Sequence, residues 1–257
     1  MMERELRSMG ESFTTLSVVT TDNQTITFNH YQNGFDRVII LVHGFYNSKQ
    51  AILFEDMATI LSGHFDVIVM DLRGHGGSTG WFTWTAKEYL DIEAVLTYTK
   101  RHYEKIGMVG FSLGAAVCLI AASRVSSLQS LISVCSPMSF RHVDFRWWQL
   151  GFEENLIYNF FQDGRVGKGV RPGWLWKKKI KPIDIVDRIK IPTLFIHGAK
   201  DWLILPWHSL RLYDKACCQK ELKIFPQGTH AEFVFRLYRE DFTTCLTDWF
   251  NKTIPAA

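Results

Sequence analysis

The stretch Gly110-Phe111-Ser112-Leu113-Gly114 sets a serine between two glycines, directly after the apolar run KIGMV and just before the small-residue segment GAAVCLIAA. A serine hydroxyl attacks a carbonyl carbon only when a neighbouring base takes its proton and an acid holds that base in the right tautomer. Glycines on both sides permit a sharp strand-to-helix turn that lifts the hydroxyl above a sheet edge, and the helix N-terminus beneath it favours negative charge nearby. Both partners lie downstream. Asp201 follows the apolar stretch PTLFIHG in FIHGAKDWLI, and His230 follows KELKIF in FPQGTHAEF. Ser112, then Asp201, then His230, each just past its own strand, is the chain order of a Ser-His-Asp acyl-transfer site on a mostly parallel sheet.

Such a site needs two backbone amides aimed at the oxyanion of the tetrahedral intermediate. The expected donors are Leu113, the residue after the serine, and Phe45, in His43-Gly44-Phe45 after the strand RVIILVH. Gly44 lets the chain turn inward, and His43 is expected to orient this loop rather than to catalyse. In DLRGHGGS (71–78), Asp71 and His75 raise the question of a metal, but no cluster of further ligands accompanies them. A rigid loop is the expectation there, with no metal and no cofactor.

The elements that must carry these residues follow from hydrophobic patterning. SFTTLSVVTT and QTITFNHY, split by TDN, read as a hairpin. Continuous apolar runs at 37–43, 66–71, 105–111, 128–137 and 192–198 read as strands buried on both faces, and 220–225 as one more. Helical spacing covers 49–63, 85–103, 113–125, 205–216 and 230–250. Alternating strands and helices predict an α/β fold with helices on both faces of a mostly parallel sheet. Residues 138–190 break the rhythm with aromatics, among them Trp147, Trp148, Trp174 and Trp176, interrupted by glycines. They are expected to form a lid over one end of the sheet, inserted into a core made of 1–137 and 191–257. The four tryptophans are candidates to line a substrate pocket.

Composition bounds the alternatives. The chain has 257 residues, 47% of them hydrophobic, with a net charge of only +3. A nucleic-acid protein would show a larger basic excess, and the one basic run, Lys177–Lys179, reads as solvated surface. Five cysteines with no C-x-x-C argue against a disulfide framework and for a reducing compartment. The N-terminal residues lack an apolar signal-peptide core, and no run of about twenty apolar residues exists to span a membrane. The expectation is a cytoplasmic protein acting on a small molecule, its oligomeric state open.

Taken in order, LVHGF, DLRGHGGS, GFSLG, HGAKD and GTH resemble the α/β-hydrolase superfamily, in particular its bacterial carboxylesterase, monoacylglycerol lipase and feruloyl-esterase-like branch, the serine aminopeptidase-like group. The resemblance runs over about residues 25–250. It implies an eight-stranded, mostly parallel sheet with a lid between strands six and seven. It also implies triad roles for Ser112, Asp201 and His230, and oxyanion roles for Phe45 and Leu113. Serine in the elbow disfavours the members with an aspartate nucleophile. The expected activity is hydrolysis of a small carboxylic ester through an acyl-enzyme. The alternatives are an amide or peptide hydrolase on the same triad, with Glu153 or Glu154 as an anchor for a substrate amine, and a ligand-binding receptor with slow turnover.

Overall fold

The computed structural model describes residues 13–140, 170–173 and 178–256. Eight strands form one sheet: β1 (Phe13–Val19), β2 (Thr25–Tyr31), β3 (Arg37–Val42), β4 (Asp66–Met70), β5 (Lys105–Phe111), β6 (Ser130–Val134), β7 (Thr193–Gly198) and β8 (Lys220–Phe225). Their spatial order is β1-β2-β4-β3-β5-β6-β7-β8. β1 and β2 form the expected hairpin, and β2 pairs antiparallel with β4; from β4 to β8 every pairing is parallel.

Six helices lie among the described residues: α1 (Ile52–Leu61), α2 (Tyr89–Thr99), α3 (Leu113–Ala122), α4 (Trp207–Lys215), α5 (Glu232–Leu237) and α6 (Arg239–Thr253). The sheet divides the core in two, and β3 shows how. Val38, Ile40 and Val42 face the cluster that holds Ile92 and Val95 of α2 and Val117 of α3. Ile39 and Leu41 face the cluster with Phe54 of α1 and Phe242 and Phe250 of α6. With helices on both faces, neither side of β3 meets water, so its sequence is apolar throughout rather than alternating. Truncating a fully buried ring such as Phe242 would cost roughly 3–5 kcal/mol.

β3 lies between β4 and β5, so the winding of the chain reverses there. In open α/β sheets, a crevice forms outside the carboxyl ends of the strands at such a switch point. Ser112, at the end of β5, and Phe45, just beyond β3, both sit at that point.

Two helices differ from expectation. The segment 85–103 is helical only from Tyr89 to Thr99. Ahead of it the buried Glu88 carboxylate accepts from Thr83 N–H and Oγ1, and Trp84 and Thr85 have φ of 57° and 74°, so the chain is drawn out of helical geometry. The segment 230–250 is two helices, not one. They break at Tyr238 (φ −122°, ψ 46°), whose ring packs on Phe225 and whose hydroxyl accepts from Gln227 N–H. The bend turns both Phe235 and Phe242 into the core.

The connection from β6 to β7 is long, from residue 135 to residue 192. Its described parts include two single-turn helices, Pro182–Asp184 and Val186–Arg188, and a bridge between Pro172 and Phe82. Trp147, Trp148, Trp174, Trp176, Glu153 and Glu154 lie outside the described residues. No helix among the described residues is long and apolar enough to cross a membrane.

Candidate active site

Ser112 occupies a turn that only tight packing sustains. Its backbone is at φ 51°, ψ −115°, the one residue between β5 and α3. A non-glycine residue held there costs on the order of 1–3 kcal/mol. The turn is pinned from both sides: Ser112 N–H donates to Val134 O at 2.8 Å, and Ser112 O accepts from Ala116 N–H at 3.2 Å. The flanking glycines are required by contact. A Cβ at Gly110 would lie 2.7 Å from Ala115 Cα, and one at Gly114 would lie 2.4 Å from His43 O. The start of α3 therefore rests directly on the end of β3.

The side chains form one row. His230 Nε2 lies 2.8 Å from Ser112 Oγ, and His230 Nδ1 lies 2.7 Å from Asp201 Oδ2. The other Asp201 oxygen accepts from Leu203 N–H at 3.0 Å and Ile204 N–H at 2.9 Å. His230 and Asp201 are buried, while Ser112 is partly open. The loops that bear Asp201 and His230 meet main chain to main chain. A Cβ at Gly198 would lie 2.2 Å from Thr229 O, and Lys200 N–H donates to Gly228 O.

The electrostatics follow. Burial pushes the Asp201 carboxyl up, but the charge of His230 and hydrogen bonds from His197 and His230 outweigh it and hold the group well below the usual carboxylate range. Burial pushes the His230 imidazole down, yet the Asp201 charge and hydrogen bond, with the Glu232 charge added, raise it above its ordinary value. The serine thus faces a strengthened base whose second nitrogen is held by a carboxylate.

His43 is fully buried beneath the loop. Its Nε2 accepts from Leu72 N–H at 3.1 Å, so the proton resides on Nδ1, which donates to Gly44 O at 2.7 Å. In a trans peptide the N–H points opposite to the C=O, so the Phe45 N–H is directed away from His43. Gly44 itself touches the serine: a Cβ there would come within 3.2 Å of Ser112 Cβ. Among the described residues, no partner accepts from the Phe45 or the Leu113 amide. The loop 71–78 is tied by Asp71, whose carboxylate pairs with Lys49 and accepts from Gly77 N–H.

Cys135, Asp201 and His230 offer ligand atoms within 4.8 Å of one another. Two of the three share a hydrogen bond, and burial pushes the Cys135 thiol well up, away from the thiolate that a metal needs. The donor set fits a proton-bearing row better than a cation.

Sequence reasoning missed several neighbours. His197 donates from Nε2 to Ile204 O at 2.6 Å, with the same nitrogen 3.3 Å from Asp201 Oδ2, and its Nδ1 accepts from Ser209 Oγ. Its position four residues ahead of Asp201, at the end of an apolar strand, was the available signal. An aromatic cluster gathers at the Phe45 side chain: its ring lies 5.0 Å from both Phe82 and Trp84, and Trp84 lies 6.1 Å from Phe140. Three of these four rings come from outside the insertion to which sequence analysis assigned the pocket aromatics.

The chain matches the family described as alpha/beta hydrolase fold over residues 37–166, just over half its length. Among curated proteins, the Bacillus subtilis (strain 168) protein YqkD is 28% identical over 75% of this chain and 64% of its own. The pimeloyl-[acyl-carrier protein] methyl ester esterase of Proteus mirabilis is 31% identical over 48% of this chain and 47% of its own. The chain thus covers less than two thirds of the length of these two relatives. Among solved structures, the Pyrococcus furiosus esterase Pf2001 superposes with a TM-score of 0.77 at 21% identity, covering 96% of this chain and 94% of that one. An esterase from Thermogutta terrifontis superposes at 0.72 with 18% identity, covering 93% and 99%. These likenesses extend the fold to nearly the whole chain, and with the family match they establish that this chain belongs to the α/β-hydrolase fold family.

Proposed function

We propose that this chain hydrolyses carboxylic esters of small molecules through an acyl-enzyme. The observation that carries the reading is the row Ser112 Oγ–His230 Nε2–Asp201 Oδ2 together with the Leu113 and Phe45 amides, which have no acceptor among the described residues. His230 takes the proton of Ser112 as the hydroxyl attacks the ester carbonyl. The Leu113 and Phe45 amides receive the developing oxyanion. His230 then gives the proton to the departing alcohol, leaving Ser112 acylated. Water attacks the acyl-enzyme with His230 again as base, and Ser112 recovers its proton. Asp201 stays ionised throughout and holds the imidazole.

The ring of Phe45, on the residue whose amide is the expected oxyanion donor, joins those of Phe82, Trp84 and Phe140 in one cluster, which favours an apolar group attached to the scissile carbonyl. Residues 138–190 are proposed as a lid above this wall. Phe140 meets Trp84 there, and Arg171 donates to the carbonyl oxygens of Ser78 and Gly80. Five free cysteines, including the adjacent Cys217 and Cys218, suit a reducing cytoplasm. Esterase names among the relatives support the same chemistry.

The test is a panel of p-nitrophenyl esters of rising acyl length, with a fluorophosphonate probe. Wild type should turn the esters over and be labelled at Ser112. Ser112→Ala should lose both, with kcat down on the order of 10⁴ or more. Labelling of that variant at another serine would refute the assignment.

A further inference from the structure

Asn47, on the loop after β3, and Glu232, the first residue of α5 after the His230 loop, come from segments that carry different parts of the site. Asn47 closes a turn that starts at Gly44, its N–H reaching Gly44 O at 3.4 Å. Phe45 and Tyr46 are the central residues, and Tyr46 is at φ 63°. A bulky residue with positive φ at that place is strained and persists only when its surroundings hold it. Glu232 lies two residues after His230. Between them Ala231 is at φ 47°, ψ −116°, and Phe233 N–H donates back to His230 O at 3.0 Å. Each loop is thus a strained turn, one bearing an expected oxyanion amide and the other the base.

A side-chain bond spans them: Asn47 Nδ2 donates to Glu232 Oε1 at 2.8 Å. Asn47 Oδ1 is turned back on its own loop, where it accepts from Ser48 N–H at 3.2 Å. Neither Ser112 nor Asp201 joins the two loops in this way. Gly44 sets the oxyanion loop against Ser112, and Gly198 sets the His230 loop against the Asp201 loop. The third side of the triangle, from the oxyanion loop to the His230 loop, has the Asn47–Glu232 bond.

We propose that Asn47 and Glu232 are positioning residues for the reaction proposed above, a latch that fixes the Phe45 amide relative to His230 Nε2. The bond, not the charge, does the positioning. The charge has a separate effect. The ionisable groups facing His230 are Asp201, Glu232 and the Cys135 thiol, with His197 behind Asp201, and the charge of Glu232, like that of Asp201, raises the imidazole. Glu232 therefore adds to the field that favours the protonated imidazole.

Bond and charge separate in three single variants and one double. Glu232→Gln keeps an acceptor oxygen for Asn47 and removes the charge. Its plateau kcat should match wild type within about threefold, while the acid limb of its kcat/KM profile moves to lower pH. Glu232→Ala and Asn47→Ala each break the bond from one side. Each should lower kcat by roughly 10- to 100-fold, as small misplacements of reacting groups do, with KM little changed. The double alanine variant should be no worse than the poorer single, since both remove one bond. Hydrogen exchange at residues 43–48 should quicken in both alanine variants and stay at the wild-type rate in Glu232→Gln. This readout does not depend on turnover, so a protein that shows the exchange pattern but hydrolyses no ester would sink the functional reading and leave the latch standing. Wild-type kcat in both alanine variants, effects that multiply in the double variant, or a Glu232→Gln as slow as Glu232→Ala would each overturn the latch.

Discussion

Replacing Asp201 by asparagine should slow turnover at least as much as removing its side chain beyond Cβ. The reason lies in the hydrogen bonds of the carboxylate. Oδ1 accepts from the amides of Leu203 and Ile204, so an asparagine must place its carbonyl oxygen there to keep both bonds. Its NH₂ then takes the place of Oδ2, 2.7 Å from His230 Nδ1. An NH₂ can only donate to that nitrogen, which drives the imidazole proton to Nε2, where it faces the Ser112 hydroxyl. The base is thereby locked in the tautomer that cannot accept the serine proton. The expected loss in kcat is about 10⁴-fold, or about 5.5 kcal/mol, as for other triads so altered. Asp201→Ala leaves the two amides without an acceptor, costing roughly 1–3 kcal/mol of stability for each, but leaves the imidazole free to adopt either tautomer. The assay is kcat on a short-chain p-nitrophenyl ester for both variants, with melting curves beside it. Asparagine should melt above alanine, since it keeps the bonds to Leu203 and Ile204, and be no more active than alanine. An asparagine variant within tenfold of wild type, or clearly faster than the alanine variant, would refute the tautomer argument.

Gly114→Ala should drive the start of α3 from β3 by about 1 Å, because its Cβ would lie 2.4 Å from His43 O and 2.5 Å from Val42 O. Ester turnover should fall by about 100-fold in protein that still shows a native circular dichroism spectrum; unchanged turnover would contradict the close-packing account. Trp84→Ala forfeits no indole hydrogen bond to the described residues, among which Nε1 has no partner, and should shift acyl-chain preference by ~1–3 kcal/mol of discrimination; an ester panel with an unaltered profile would exclude the aromatic wall from the pocket. His30, fully buried between the hydroxyls of Tyr98 and Tyr103, is lowered to about 4 chiefly by burial. The unfolded chain protonates this histidine near pH 6.5 and the folded chain only near pH 4, so its share of stability, up to about 3 kcal/mol, is present above 6.5 and lost as pH falls through that window. Denaturant titrations at pH 7 and pH 4.5 should show a smaller drop for His30→Gln than for wild type, and equal drops would contradict this.

The strands were legible because burial on both faces leaves little choice of residue: RVIILV can only be an interior strand of a covered sheet. Ser112, Asp201 and His230 were legible because each follows such a strand on a short loop, where chain order substitutes for distance. The break at Tyr238 was not, since it depends on a ring docking against Phe225 from another strand. The late start of the helix in 85–103, at Tyr89, was hidden for a different reason. Its helical spacing is genuine, but Glu88 serves the backbone of Thr83 instead. The aromatic wall escaped because Phe45, Phe82 and Trp84 are far apart in the chain and share no period. The Asn47–Glu232 bond, across 185 residues, leaves no local trace at all.

The row from Ser112 to Asp201 also determines when the protein becomes competent during folding. Ser112 and His230 are 118 positions apart in the chain, and contacts of that span form late because loop closure must precede them. His230 hangs from β8, which stands at the edge of the sheet, pairs with β7 alone among the described residues, and has side chains largely half-buried or exposed. Edges open locally at lower free energy than the centre of a sheet. A transient opening that frees β8 would carry the base away from a serine still held by the central strands, so reactivity at Ser112 becomes a gauge of the fraying of one edge, sensitive to motions too small to register as unfolding.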